Sequence, residues 1–365
     1  MTTNALRVVR ASGLLAVAVI LGASAVGAVP ARRTRAEVDA LVEKAGQSKP
    51  DWWDQVPLDY PRTLDLARTQ EFKGWDKQHI LSVYVMGVVN PDPSLWKPAA
   101  KLLHHVLDTY KDDPKNVRQT QLELAHVWGN LLGDYARGAY WFKKAGSLTA
   151  MQDAQLARFY RLLGDPTLTR EIATAYDMDD TGNGGIIRMW SSIGDFEQAL
   201  RAARVKGDAL EEPDVAYLAA GDACRREGKF DDAVAYYEKV VAAAKGTPGI
   251  KRNKDRARAD IDGAKAATLV DLAHTPDGTY ASAAPGFRGD VTVEVVVKAH
   301  RVESVRVTKH KDDWFLTAPV EVPAQIVENQ GIKGVDAVSG ATFTSESIIN
   351  AAAKALGGAV QPAGK

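Results

Sequence analysis

The sequence predicts a multidomain chain in which a long α-helical repeat array precedes a small α+β domain. Two observations carry this. A glycine element followed by an aromatic residue or proline recurs at helix-pair intervals through the middle of the chain. Near residue 290 the apolar pattern then switches to strict alternation. A third observation, a hydroxyl-rich run just before a C-terminal apolar helix, points to chemistry. With 365 residues the chain is too long for one small domain and suits two. Lys+Arg and Asp+Glu both number 46, so the net charge is zero. That argues against nucleic acid as a partner, which needs an excess of cations.

Residues 1–30 read as a targeting segment. Arg7 and Arg10 precede an uncharged run from Ala11 to Ala31, and small residues at Ala23-Ser24-Ala25 and Val26-Gly27-Ala28 offer cleavage sites. The expectation is an extracytoplasmic protein, periplasmic or secreted, with this segment either cleaved near Val26 or Val29 or kept as a membrane anchor. The single cysteine, Cys224, rules out an intrachain disulfide and reads as a small buried helix residue.

Residues 31–272 are predicted to be helical. The recurring element is Gly133-Asp134-Tyr135, Gly164-Asp165-Pro166, Gly194-Asp195-Phe196 and Gly228-Lys229-Phe230, spaced 31, 30 and 34 residues apart. Such periods mark stacked helix–turn–helix units that bury their apolar faces against their neighbours. The pattern resembles the tetratricopeptide repeat most closely at Leu218, Gly221, Gly228, Phe230, Ala233 and Tyr237, and again at Gly138, Phe142 and Ala145. This array is either a docking surface for a protein partner or a scaffold for the C-terminal domain. Gln47–Pro61, with Trp52 and Trp53, is expected to be an extended lead-in packed on the first helices, and Trp75–Tyr110 a further helical pair. His104 and His105 are adjacent, so a helix points them about 100° apart and they do not share a metal. Lys245–Arg258 is expected to be a solvated loop and helix start, not a binding tract.

Residues 275–357 form the second unit, expected to fold independently of the first, and residues 358–365 a flexible tail. Val291, Val293, Val295 and Val297 alternate as in a half-buried strand, and Val305 and Val307 continue the pattern in the next. Helices are expected near Pro323–Gln330 and from about Ser345 to Leu356. Strands followed by helices indicate an α+β layer pair.

Between these helices lies Asp336-Ala337-Val338-Ser339-Gly340-Ala341-Thr342-Phe343-Thr344-Ser345. Gly340 permits a tight turn, and Thr344 or Ser345 is expected to cap the helix. A helix N-terminus supplies free N–H groups and partial positive charge, which suit a phosphate. With the upstream Asp277-Gly278-Thr279-Tyr280 and Gly286-Phe287-Arg288-Gly289-Asp290 elements, this order resembles the FMN-binding domain found in the sodium-pumping NADH:quinone reductase. The related electron-transport complex carries such a domain, as do many extracytoplasmic bacterial flavoproteins. The family pattern is Asp, two variable residues, Ser or Thr, then Gly-Ala-Thr, and here Asp336, Ser339, Gly340, Ala341 and Thr342 fill it.

The resemblance implies that Thr342 carries FMN through a phosphoester made by a separate FAD:protein FMN transferase, with Thr344 close by. Two departures, alanines at 281, 283 and 284 where glycines are common and Ala299-His300 at the hairpin turn, bear on strand geometry and not on the acceptor loop. No dinucleotide loop, haem motif or cysteine cluster accompanies the run. The implied role is therefore an electron-transfer component with a redox partner protein, rather than a self-contained enzyme. The alternatives are a tetratricopeptide-like interaction protein whose C-terminal domain has lost its flavin or uses it structurally, and a flavin-dependent reductase with a pocket between the two regions.

Overall fold

The computed structural model describes residues 32–176, 184–209 and 213–359. The predicted targeting segment lies outside these residues, as does the end of the predicted tail.

Among the described residues the first part of the chain is helical. α1 (Arg35–Gly46) starts with a reciprocal cap in which the Thr34 hydroxyl accepts from the Glu37 N–H and the Glu37 carboxylate accepts from the Thr34 N–H. The lead-in comes next, with Trp52 and Trp53 stacked on Trp128 at ring separations of 5.6 and 6.4 Å. α2 (Leu81–Tyr84) runs into a π-helical turn at Val85–Val89, α3 spans Trp96–Thr109, and α4 (Pro114–Ala125) runs into a second π-helical turn at His126–Leu131. Next come α5 (Tyr135–Ala145), α6 (Ala150–Leu162), α7 (Thr167–Ala175), α8 (Gly185–Ser192) and α9 (Phe196–Ala209). α10 (Pro213–Arg226), α11 (Phe230–Ala242) and α12 (Ile250–Ala267) complete the array.

The recurring glycine element has one structural job. Gly133, Gly164, Gly194 and Gly228 have φ of 68°, 106°, 78° and 77°. In each case the next residue's N–H reaches back to a carbonyl of the preceding helix: Trp128, Tyr160, Trp190 and Cys224, at 2.8–3.0 Å. This closure satisfies carbonyls that the helix end leaves free and turns the chain into the next helix. The small position predicted within the repeat also has its reason: a Cβ on Gly221 would sit 2.3 Å from the Tyr237 ring. Cys224 is fully buried, and burial pushes its thiol up to about 12.

The α+β unit begins with β1 (Gly278–Pro285), β2 (Asp290–Lys298) and β3 (Arg301–Lys309), an antiparallel sheet in that order. Val291, Val293, Val295 and Val297 are all buried, as their alternation predicts. Ala299 and His300 form the β2–β3 turn with φ of 48° and 61°, conformations usually left to Gly and Asn, and the Asp277 carboxylate accepts the Ala299 N–H at 2.8 Å. α13 (Ala318–Asn329) starts before the predicted Pro323, which lies inside the helix. Proline lacks an N–H, but this near the start only one internal hydrogen bond is lost. α14 (Thr342–Ala359) packs on β1, β2 and α12 and extends past the predicted end at Leu356.

One buried apolar cluster runs through both parts. It joins Val85, Leu102, Leu103 and Trp128 of the array to Val293, Leu316, Ile348 and Leu356 of the α+β unit. The strands start where the sequence places the border, yet the core has no border there. The expectation of two independently folding units thus meets a shared core.

Candidate functional site

The hydroxyl-rich run forms a loop leading into α14. The backbone of Asp336 is held from both sides by Gln325, which accepts from its N–H at 2.8 Å and donates to its carbonyl at 3.1 Å. Gly340 is exposed with φ of 87°, and a Cβ there would lie 3.2 Å from Leu316 Cδ1 and 3.9 Å from Trp314 Nε1. Ala341 is buried, and its carbonyl takes the first hydrogen bond of α14, from the Ser345 N–H at 2.9 Å. Ser339 is half-buried at the crest of the loop.

The helix begins at Thr342, earlier than predicted, and neither Thr344 nor Ser345 caps it. The physical reason is that both hydroxyls are engaged inside. Thr344 is buried and donates to the Asp312 carboxylate at 2.6 Å. Ser345 Oγ donates to the Ala341 carbonyl at 2.9 Å and accepts from the Val338 N–H at 3.0 Å. Thr344, predicted beside the cofactor, therefore faces inward. It ties α14 to Asp312, which also accepts the Arg288 N–H at 2.7 Å and so anchors the β1–β2 turn. Among the described residues, the Ser339 and Thr342 hydroxyls have no hydrogen-bond partner. Thr342 is half-buried as the first residue of α14, where the N–H groups of residues 342–344 lack helical acceptors.

Aromatic rings flank this helix start. Phe343 meets Phe287 edge to face at 5.9 Å, the Arg252 guanidinium lies 4.2 Å over Phe287, and Trp314 borders Gly340. A free hydroxyl, a helix N-terminus and half-buried rings form a donor set that fits a phosphate ester carrying a planar heterocycle.

Comparison with known proteins agrees. The FMN-binding domain family model matches residues 286–357, which include the whole loop and nearly all of α14. Residues 286–357 belong to the FMN-binding domain family. A tetratricopeptide repeat model matches residues 216–251, from α10 to the start of α12. An uncharacterized protein of Treponema pallidum (strain Nichols) is 36% identical over 118 residues, covering 32% of this chain and 32% of that protein. The chain thus spans about a third of that relative's length. No solved structure matches the chain.

The array meets the FMN-binding domain through charged pairs that sequence reasoning did not anticipate. Arg161 of α6 pairs with Asp336 at 2.8 Å. Arg158, one turn earlier, pairs with Glu321 of α13, which also accepts from the Tyr135 hydroxyl at 2.7 Å and from Thr317. Burial raises the Glu321 carboxyl, but the Arg158 charge and the hydrogen bonds bring it below its ordinary value. Arg225 of α10 donates to the Ile332 and Val335 carbonyls at 3.2 and 3.0 Å and to Glu346 at 3.2 Å.

Arg256, within the tract expected to be solvated, is buried between Asp222 and Asp260, and Asp260 accepts from Asn350 of α14 at 2.7 Å. The tract is a loop followed from Ile250 by the start of α12, as expected, and it is Arg256 within that helix that turns inward to these acids. The only sequence signal for the network was the charge itself, set among the apolar helix positions of α10, α12 and α14.

Proposed function

We propose that this chain is an extracytoplasmic electron-transfer flavoprotein whose FMN is linked covalently through Thr342. One observation carries the linkage. Of the four hydroxyls in the loop, Thr344 and Ser345 are committed to buried hydrogen bonds, and Thr342 alone pairs a free hydroxyl with a helix N-terminus. In the attachment step the Thr342 oxygen forms a phosphoester with the FMN phosphorus of FAD. The diphosphate bond breaks, AMP leaves, and the hydroxyl proton passes to a base of the FAD:protein FMN transferase. When bound, the flavin supplies the redox chemistry.

The protein's residues hold the loop. Gln325 fixes the Asp336 backbone, Ser345 closes the turn, and Asp312 locks the helix start. A covalent link suits a compartment in which a loosely bound cofactor would be lost, in keeping with the targeting segment and with membrane association through it. The faces of α6, α10 and α12 that meet the FMN-binding domain are covered, so the redox partner docks on outward faces of the array.

The test is intact mass after co-expression with the transferase, followed by peptide mapping and a visible spectrum. A yellow protein with one added FMN mapped to the Thr342 peptide is expected. A colourless protein without adduct would favour the interaction-protein alternative. N-terminal sequencing of exported material tests the location, and an intact Met1 in a cytoplasmic fraction would overturn it.

A further inference from the structure

Trp314 stands out among the aromatics of the FMN-binding domain. Its neighbours Phe315, Leu316, Thr317 and Ala318 are buried, while Trp314 is left half-open beside the acceptor loop. A large apolar ring with one wet side is characteristic of recognition surfaces. The loop is pressed close: a Cβ on Gly340 would be 3.9 Å from the indole nitrogen. Thr342 lies two residues on, so its Cα is within about 7 Å of that of Gly340. Leu316 has φ of 48°, a conformation a leucine takes only under constraint, and it abuts the same glycine.

Behind Trp314 is the array. The His126 ring lies 5.9 Å from it, inclined by 30°. His126 Nε2 donates to Asn90 Oδ1 at 2.8 Å, and its Nδ1 accepts from Asn130 Nδ2 at 3.3 Å, so one tautomer satisfies both nitrogens. Burial lowers the imidazole to about 4, which keeps it neutral. Asn90 ends the first π-helical turn and His126 opens the second. Such turns are rare and gather at functional sites. Asn130 Oδ1 is buried with no hydrogen-bond partner among the described residues. A neutral ring held by two hydrogen bonds thus packs against the half-open Trp314 indole beside Gly340.

We propose that Trp314, positioned by His126 of the array, is the wall on which the isoalloxazine ring of the Thr342-linked FMN rests, so that the repeats complete the cofactor site. This rests on the covalent reading above. The test uses the fact that an indole in contact with a photoexcited flavin gives it an electron, which returns in the dark, and so quenches its emission. Wild type, Trp314→Phe, Trp314→Leu and the control Trp52→Leu are each co-expressed with the transferase. FMN occupancy is read by intact mass, and fold by circular dichroism. The flavin emission lifetime should be short in wild type and Trp52→Leu, and several-fold longer in both Trp314 variants at equal occupancy. His126→Leu should lengthen it partly. Trp314→Phe keeps a ring in the same place, so the test survives if the leucine variant folds poorly. Unchanged lifetimes at full occupancy would overturn this proposal alone. Absence of FMN mass in wild type would overturn the covalent reading, and this proposal with it.

Discussion

Arg161 of α6 and Asp336 of the loop before α14 form an ion pair of 2.8 Å across the boundary between the array and the FMN-binding domain. The pair is intermediate in exposure, with side chains 22% and 24% accessible. Burial and the neighbouring Arg226 and Arg158 disfavour the Arg161 charge, and Asp336 opposes them. Removing Asp336 therefore leaves a cation facing other cations. We expect Asp336→Ala to cost about 1–2 kcal/mol, more than a typical exposed pair, and to lower FMN attachment. Arg161→Ala should cost a similar amount but leave attachment intact, because the carboxylate of the pattern remains. Urea titration and intact mass check both. Equal loss of attachment in the two variants would show that the pair, and not the carboxylate, is what attachment requires.

A second prediction concerns pH. Glu346 lies in a buried cluster with Arg225, Arg256, Asp222, Asp260 and Tyr237. Burial, opposed by Arg225 and Arg256 and reinforced by the two aspartates, pushes its carboxyl up to about 7. The native state then holds a proton that the unfolded state has already released. The contribution is fully present below the ordinary carboxylate value and is lost as pH rises toward 7. Glu321, Asp39 and Asp165 are shifted down and give the opposite slope, so a difference measurement is needed. The stability of wild type relative to Glu346→Gln should fall by on the order of 1–3 kcal/mol between pH 5 and 8. A flat difference would mean that Glu346 is ionised throughout.

The parts of this molecule legible in its sequence are those governed by local rules. The glycine turns announce themselves because a left-handed closure after a helix strongly favours glycine, and β2 because its valines alternate. The loop at residues 336–342 was legible as a pattern, but the start of the helix after it was not. Thr344 and Ser345 look like caps until Asp312 and the Ala341 carbonyl are seen to engage them. The Arg158–Glu321, Arg161–Asp336 and Arg225–Glu346 pairs join residues more than a hundred positions apart. No local signal encodes such pairing.

The shared core gives a third prediction, about separability. Residues 32–274 made alone would expose the faces of α3 and α12 that pack on the FMN-binding domain, and would leave Arg158 without Glu321 and Arg225 without Glu346. Losing one partner of a buried pair typically costs about 3–5 kcal/mol. The fragment should remain helical by circular dichroism yet unfold at much lower urea than the full chain. Addition of residues 275–365 in trans should restore part of the loss. A fragment midpoint equal to that of the full chain would show that the contacts contribute little.

The last prediction separates the two threonines of α14. Thr342→Val removes a hydroxyl that has no hydrogen-bond partner among the described residues and keeps the branched shape, so stability should change by less than about 0.5 kcal/mol. All covalent FMN should be lost. Thr344→Val removes the donor to Asp312 in a buried site, where a carboxylate left partly unsatisfied costs about 1–3 kcal/mol. Asp312 keeps the Arg288 N–H, so the β1–β2 turn should survive and the FMN adduct should persist. The two variants should thus show opposite outcomes: one stable and colourless, the other destabilised and yellow. Thermal melts, intact mass and peptide mapping read all four results. FMN mapped to Ser339 in Thr342→Val would identify the other free hydroxyl of the loop as a competent acceptor. FMN lost from Thr344→Val at a temperature where it remains folded would show that the Asp312 latch, and not the Thr342 hydroxyl alone, determines attachment.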